Sequence, residues 1–359
     1  MTITKPNATT GPRTLALLAY DDCQGSAISS MVEVLDIANL YATRGDEQVP
    51  APFRWQVVSP DGRAPRSMGG LDIAVTGSPA SSPAPDLIYI PGLHFTGDTT
   101  RFSRQIGALA ARCGDWLRAQ HEQGRLLAAS CAGTFVLAEA GLLDGKRVTT
   151  SWWLGKLFRA NYPRASLCEG ELVTRDDRIF TSGAFTAGLD LCLRIVEHFA
   201  GPPLALSCAK VMLVNAKRES QFPYMTLQAR MQHRDELVMR AQSHIRSHIR
   251  QPLSVAGLAD ALNTTSRTLI RRFHEALGCS PRQYIQELRV EGAKRLLEST
   301  DLNFEEIVDR VGYGDPSSFR RLFERTTTVS PSRYRQMFSM QHGEPRSAGG
   351  GDAEADAGG

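Results

Sequence analysis

A cysteine in the front half of the chain stands where a nucleophile could act. The segment 125–143, RLLAASCAGTFVLAEAGLL, is an apolar run followed by a small-residue turn around Cys131 and then by a helical pattern. A residue in such a turn projects into the crevice at the carboxyl edge of a sheet, and a helix N-terminus lowers the pKa of a thiol there. The pattern is typical of a nucleophile, although an ordinary turn that packs a small residue produces it too.

Other residues predicted near this edge suit a small ligand. Backbone N–H groups at a helix start bind carboxylates, and tryptophan faces bind quaternary ammonium groups, so a betaine or an amino acid satisfies both. Core packing is the alternative role for at least one tryptophan, and simple solvation is the alternative for the histidine. The predicted ligand-binding residues are Gly92, Leu93, His94, Cys131, Ala132, Ser151, Trp152 and Phe185, with Gly133 and Trp153 beside them.

The last third of the chain repeats itself. Each copy reads as helix, short turn and helix, which predicts two helix-turn-helix motifs. Outward arginines on the second helix of such a motif can form bidentate bonds to guanine. Two amphipathic hairpins with solvated arginines are the alternative. Six residues recur 50 positions later: Leu269, Arg271, Phe273, Ser280, Pro281 and Tyr284 correspond to Phe319, Arg321, Phe323, Ser330, Pro331 and Tyr334.

A sheet must position the front residues. Short apolar runs at 15–20, 53–59, 86–92 and 125–130 are predicted strands, with predicted helices at 30–41, 107–123 and 134–141. Strand–helix alternation is typical of a parallel sheet with helices on both faces. From residue 235 onward the pattern is helical, which predicts an α/β domain followed by an all-α domain.

Charge and composition divide the chain in the same way. Residues 1–205 have 19 Lys/Arg and 20 Asp/Glu, whereas residues 206–342 have 21 and 14, so the back favours a polyanion partner. We expect disordered ends at 1–12 and 342–359, a ligand-sensing domain at 13–209, a connector at 210–235 and a DNA-binding domain at 236–341.

Composition also excludes several classes of protein. The seven cysteines are scattered without a CxxC pair, which argues against a disulfide framework and a structural zinc site. No apolar run reaches the roughly 20 residues of a membrane span, and the polar start is not a secretory signal. We therefore expect a cytoplasmic protein with no metal and no cofactor.

The back third, from Leu253 to Phe338, resembles the DNA-binding domain of the AraC/XylS family. Two segments carry the resemblance: SRTLIRRFHEALGCSPRQYIQELRVEGAKRLLE and FEEIVDRVGYGDPSSFRRLFERTTTVSPSRYR. Thr328 departs from the family pattern, which usually has glycine there. The resemblance implies that the second helix of each copy enters the major groove of double-stranded DNA. It assigns base contacts to Arg267, Ile270, Arg271, Ser317, Arg320 and Arg321.

The front domain, from about Thr14 to Thr226, resembles the type-1 glutamine amidotransferase-like domain of GlxA-type AraC-family regulators. The segments SCAGTFVLAEAGLLDGKRVTTSWW, DLIYIPGLH and RDDRIFTSGAFTAGLDLCLRIVEHFAG carry this resemblance. It implies a flavodoxin-like parallel sheet. Enzymes of this superfamily pair the elbow cysteine with a histidine or an acid, but Ser151 and Gln24 stand at those positions here. We therefore expect a vestigial catalytic site at Cys131 that binds without turnover.

These features favour a transcriptional regulator, with activation as the family tendency. The expected partners are double-stranded DNA, a small effector such as an amino acid or a quaternary amine, a second copy in a homodimer, and RNA polymerase, but no membrane. Two alternatives stay open. One is a hydrolase or lyase that uses Cys131, and the other is a redox-sensing regulator in which Cys131 is oxidised.

Overall fold

The computed structural model describes residues 11–43, 48–81, 84–215, 218, 220–226 and 235–339. The chain divides into two compact units between Gln221 and Phe222. The disorder predicted for 1–12 and 342–359 falls, apart from residues 11 and 12, outside the described residues. No helix in the described ranges is both long and apolar enough to cross a bilayer.

The first unit alternates strands and helices. It begins with β1 (Arg13–Leu18), α1 (Gly25–Thr43), β2 (Phe53–Val58), β3 (Leu87–Ile90), α2 (Thr99–Glu122), β4 (Leu126–Ser130) and α3 (Gly133–Glu139). It continues with β5 (Arg147–Val148), α4 (Gly155–Asn161), β6 (Ser166–Leu167), β7 (Val173–Asp176), β8 (Ile179–Ser182), α5 (Ala187–Ala200) and α6 (Pro202–Val211).

The main sheet of this unit has the strand order β2-β1-β3-β4-β8-β7 within the described residues. All neighbouring strands are parallel except β7, which pairs antiparallel with β8. The predicted flavodoxin-like parallel sheet is confirmed, and the antiparallel edge strand β7 was not predicted. Every residue of β3 and β4 is buried, so these strands read as continuous apolar runs.

The order of the strands places two predicted turns side by side. Because β3 and β4 are neighbours and parallel, the turns that follow them, at Gly92 and Cys131, lie at the same edge of the sheet. An edge-to-face series of aromatic rings fixes the helix behind Cys131. The ring of Phe135 on α3 lies 5.1 Å from that of Phe102 and 5.0 Å from that of Phe158.

The described part of the second unit is helical apart from its connections. It contains α7 (Glu236–Ser247), α8 (Val255–Ala261), α9 (Ser266–Leu277), α10 (Pro281–Ser299), α11 (Phe304–Arg310), α12 (Pro316–Thr327) and α13 (Pro331–Phe338). The pairs α8–α9 and α11–α12 are the two predicted helix-turn-helix copies.

Side-chain caps set the start of these helices. The Asp315 carboxylate accepts from the N–H groups of Ser317 and Ser318, and Pro316 follows it at the first helical position. Asn303 and Glu306 form a reciprocal capping box at the start of α11. The apolar faces of α9 and α12 lie in two separate cores. Leu269, Phe273, Phe319 and Phe323 are fully buried there.

The turn after α12 is strained. Thr328 ends the helix with a φ of +62°, in the left-handed region that disfavours a β-branched residue. Its counterpart after α9 is Gly278, with a φ of +72°, where no side chain is present to clash. Threonine in place of the family's glycine at position 328 therefore keeps the turn but lowers the free energy of unfolding.

We expect Thr328→Gly to raise the free energy of unfolding by about 1 kcal/mol, because glycine relieves the left-handed strain. Thermal unfolding followed by circular dichroism measures this. Gly278→Ala is the matched control and should lose about 1 kcal/mol, since a β-carbon there meets no neighbour and only the φ opposes it. A Thr328→Gly protein that is no more stable than the parent would contradict the strain argument.

Candidate ligand site and nucleic-acid interface

Cys131 lies in the sharp turn between β4 and α3. It has a φ of +52°, and its N–H donates to the carbonyls of Ser182 and Gly183 at the end of β8. The hydroxyl of Thr150 donates to the Cys131 carbonyl at 2.7 Å. Two backbone carbonyls and one side-chain hydroxyl of neighbouring segments therefore hold both sides of the strained residue, as in functional turns.

The thiol of Cys131 is buried. Burial raises its pKa, and hydrogen bonds with the Ser151 hydroxyl, at 2.7 Å, and from the Ala132 N–H only partly oppose that shift. The Ala132 N–H at the start of the helix lowers the pKa of Cys131, as expected, but the net shift is upward. Desolvation of the thiolate outweighs the electrostatic help of a helix that is only seven residues long.

The residues around the thiol offer no general base. A β-carbon built at Gly92 would lie 3.0 Å from Cys131 Cβ and 3.1 Å from Gln24 Oε1, so these three residues meet. Gln24 and Ser151 stand where enzymes of this type place an acid or a histidine. An amide and a hydroxyl do not take a proton from a thiol at neutral pH. The arrangement can hold a polar ligand group but cannot activate the cysteine.

The other predicted ligand-binding residues divide by exposure. Leu93 and Ala132 are buried, whereas the side chains of His94 and Phe185 are exposed. No described contact brings His94 to Cys131; its N–H donates to the Asp22 carbonyl. Phe185 has a φ of +43° in the loop before α5, so a second strained residue lies at this edge.

The two tryptophans differ in their surroundings. Their rings stand edge to face, with centroids 5.4 Å apart. Trp153 packs against the core of the first unit and is half-buried, as is Trp152. Trp152 therefore stays the predicted ligand contact, and Trp153 packs against its ring.

Gln221, which the sequence analysis did not identify, forms hydrogen bonds with the loops that hold the Cys131 turn. Gln221, the last residue of the first unit, is buried, and its side-chain amide donates to the carbonyls of Thr150 and Glu171, each at 3.0 Å. A β-carbon at Gly183 would lie 2.5 Å from Gln221 Oε1. Thr150 and Gly183 also form hydrogen bonds with the backbone of Cys131. The Gln221 side-chain amide therefore contacts both segments that hold the Cys131 turn.

Arg218 makes a second set of contacts with the loops beside the elbow. We call Gln221 and Arg218 together the clasp. Its guanidinium donates to the Thr186 hydroxyl at 3.1 Å, to the Thr186 carbonyl at 3.0 Å and to the Asp190 carboxylate. Burial raises the pKa of Asp190, and Arg218 opposes that shift. These residues fall in a stretch without helical or strand periodicity, which is why no sequence signal identified them.

The predicted base-contacting residues all lie on exposed faces of α9 and α12. Arg271 pairs with Glu275 at 2.8 Å, and Arg321 donates to the Ser318 hydroxyl at 2.9 Å. The guanidinium of Arg320 lies 4.6 Å from the centre of the Phe304 ring. Exposed ion pairs of this kind contribute little to stability, so these arginines can exchange partners readily. The exposed set is Arg267, Ile270, Arg271, Ser317, Arg320 and Arg321.

The fold and the two sites define an α/β domain with an elbow cysteine, joined to a double helix-turn-helix domain. Residues 17–198, slightly more than half of the chain, match the DJ-1/PfpI family, and residues 258–337 match a helix-turn-helix domain. The chain belongs to the DJ-1/PfpI family and carries an AraC-type helix-turn-helix domain behind the family domain.

Two transcriptional regulators are similar to this chain over most of both chains. The chain is 28% identical over 314 residues to the HTH-type transcriptional regulator CdhR of Pseudomonas aeruginosa, covering 87% of this chain and 88% of the relative. It is 26% identical over 332 residues to the regulator GbdR of the same species, covering 92% and 86%. An isonitrile hydratase of Pseudomonas putida is 29% identical over 180 residues, covering 49% and 72%.

We expect Cys131 to react with iodoacetamide at pH 7.5 more slowly than a free thiol, since burial raises its pKa and so lowers the fraction of reactive thiolate. Peptide mapping by mass spectrometry measures the rate, and the half-buried Cys168 in the same protein is the control. Ser151→Ala should move the reaction to still higher pH. Alkylation of Cys131 at the rate of a free thiol would show that burial does not control it.

Proposed function

We propose that this protein is a transcriptional regulator that binds double-stranded DNA through α9 and α12. One observation carries the proposal: in both copies a side chain caps the start of each helix and an apolar face is buried, and each copy presents exposed arginines on its second helix. The similarity to two regulators over most of both chains supports it. Such a protein works in the cytoplasm, beside the DNA and RNA polymerase.

The proposed contacts follow from the chemistry of the exposed faces. Arg271 and Arg321 occupy equivalent positions in the two copies, and a guanidinium fork matches the two acceptors of guanine in the major groove. Adjacent recognition helices read segments about one helical turn apart, roughly 34 Å. We expect a homodimer on an operator that contains two such pairs of segments.

The front unit acts as a sensor and not as an enzyme. A buried thiol without a base cannot attack a substrate, and this supports binding without turnover. The proposed effector site combines Gly92, Cys131, Ser151 and Trp152. Polar groups at the elbow and an indole face suit a small zwitterion, either an amino acid or a quaternary amine.

The clasp supplies a route from this site toward the DNA-binding unit. Gln221 and Arg218 immediately precede the second unit in the chain. They bind the loops 149–151 and 183–186, which also border the elbow. A ligand that shifts either loop changes the hydrogen bonds of Gln221, and a regulator requires such a differential contact between its ligand-free and ligand-bound states.

The double variant Arg271→Ala/Arg321→Ala should weaken operator binding by about 30-fold or more, because each base contact by an arginine contributes about 1–3 kcal/mol. Fluorescence anisotropy with DNA from the flanks of the gene, at a fixed moderate salt concentration, measures the affinity. Affinity for the parent protein should fall steeply as salt rises.

Arg194→Ala is the matched control for charge. Arg194 lies on α5 in the first unit, where it pairs with Glu197 at 2.9 Å, and its loss should leave the affinity unchanged. Equal weakening by the control, or no weakening by the double variant, would count against base contacts by α9 and α12. Failure of the parent protein to select any promoter fragment would overturn the regulator itself.

Gln221→Met should uncouple effector from operator, because methionine keeps the length of the side chain but donates no hydrogen bond to Thr150 or Glu171. The measurement is operator affinity with and without glycine betaine or each standard amino acid. We expect the parent to respond to at least one of these compounds and the variant to lose that response while keeping its basal affinity. Gly183→Ala should act alike, because its β-carbon displaces the Gln221 amide.

Gln105→Met is the control for the clasp. Gln105 donates to the Asp22 carboxylate at 3.0 Å, on α2 and away from Gln221. This variant should respond as the parent does. A full effector response in Gln221→Met would show that the clasp does not transmit the signal.

A further inference from the structure

A cavity lies at the opposite edge of the same sheet. The parallel strands β1, β3 and β4 begin there, and the cavity has a volume of about 380 Å³. The five residues of β4 separate it from the Cys131 elbow, a distance of about 16 Å at roughly 3.3 Å per residue. We call it the amino-edge pocket; its lining includes Arg13, Asp86, Arg125, Leu126, His198 and Phe199.

The charges in the amino-edge pocket do not cancel. Arg13 pairs with Asp86 at 3.3 Å, and its guanidinium lies 5.6 Å from the centre of the Phe199 ring. Burial, followed by Arg175 and Arg13, lowers the pKa of His198, which favours the uncharged ring. Arg125 thus sets the net charge of the lining at one positive.

Arg125 has no counter-ion among the described residues. Its guanidinium makes no hydrogen bond or ion pair there, and its Nε is buried without a partner. Arg125 as a whole is half-buried, but a buried guanidinium nitrogen without an acceptor is costly unless something anionic pairs with it. Arg125 therefore differs from Arg13, whose charge is already matched.

The surroundings of Arg125 contain further buried polar atoms without partners, whereas the nearby Arg178 is paired with Asp177 at 3.5 Å. Gln120 Oε1 and His121 Nδ1, in the last turn of α2, are buried without hydrogen-bond partners. A β-carbon at Gly124, which also lines the pocket, would lie 3.2 Å from Nη1 of Arg178. Buried polar atoms are nearly always bonded, so such a concentration at one edge points to a binding function.

We propose that the amino-edge pocket binds a small organic anion whose acidic group pairs with Arg125 and whose apolar part packs on Leu126 and Phe199. The planar guanidinium fork fits carboxylate and phosphate oxygens bidentately. The volume lies at the small end of the range for ligand cavities, which favours a single-ring or short-chain acid over a dinucleotide. This site is separate from the proposed effector site and does not depend on DNA binding.

The test uses the full chain and three probes: benzoate, inorganic phosphate and benzamide, the neutral analogue of benzoate. Melting temperature and isothermal titration calorimetry are recorded at constant ionic strength, with chloride as the reference anion. Saturable stabilisation by benzoate and not by benzamide is expected for a carboxylate site, and stabilisation by phosphate alone would identify a phosphate site. No saturable stabilisation by either anion overturns the proposal.

Two variants identify the residue. Arg125→Met keeps the aliphatic stem and should bind the effective anion at least tenfold more weakly, while its ligand-free melting temperature stays at or above that of the parent, because no internal bond is lost. Arg125→Lys keeps the charge without the fork and should bind with intermediate affinity. Arg104→Met, an exposed position on α2, controls for the loss of charge. Unchanged anion binding by Arg125→Met would overturn the assignment.

Discussion

The hydrogen bonds that Gln221 donates tie the last residues of the first unit to the segments that support the Cys131 elbow. One side-chain amide satisfies the carbonyls of Thr150 and Glu171 and lies against Gly183, where a β-carbon would not fit. Because buried carbonyls need partners, this contact fixes how the chain leaves the α/β domain. The proposed coupling of effector and operator depends on it.

Burial of the elbow thiol supports the proposal that this unit binds a ligand without turnover. The elbow has a strained backbone and lies at the carboxyl edge of the sheet, but the thiol is desolvated and its neighbours are Gln24 and Ser151. Neither of these two neighbours takes a proton from a thiol at neutral pH. The likeness to an isonitrile hydratase over half of the chain therefore extends to the fold, whereas the full-length likeness is to regulators.

The sequence predicted the elements that depend on local patterns. Buried strands, capped helices and the repeat were all visible, because apolar periodicity and residues such as Asp315 and Pro316 act within a few positions. The antiparallel strand β7 and the contacts of Gln221 depend on residues distant in the chain, and no periodicity marks them. The net rise in the pKa of Cys131 could not be predicted, since a sequence shows a helix start but not the burial that outweighs its effect.

A footprint on the operator tests the central claim most directly, because two recognition helices in one chain must contact two DNA segments at a fixed spacing. The account predicts that one bound chain protects two segments on the same face, about one helical turn or roughly 10 base pairs apart. Arg271→Ala should expose one segment, and Arg321→Ala should expose the other. Protection of a single segment, or loss of both segments in either variant, would contradict reading by two recognition helices.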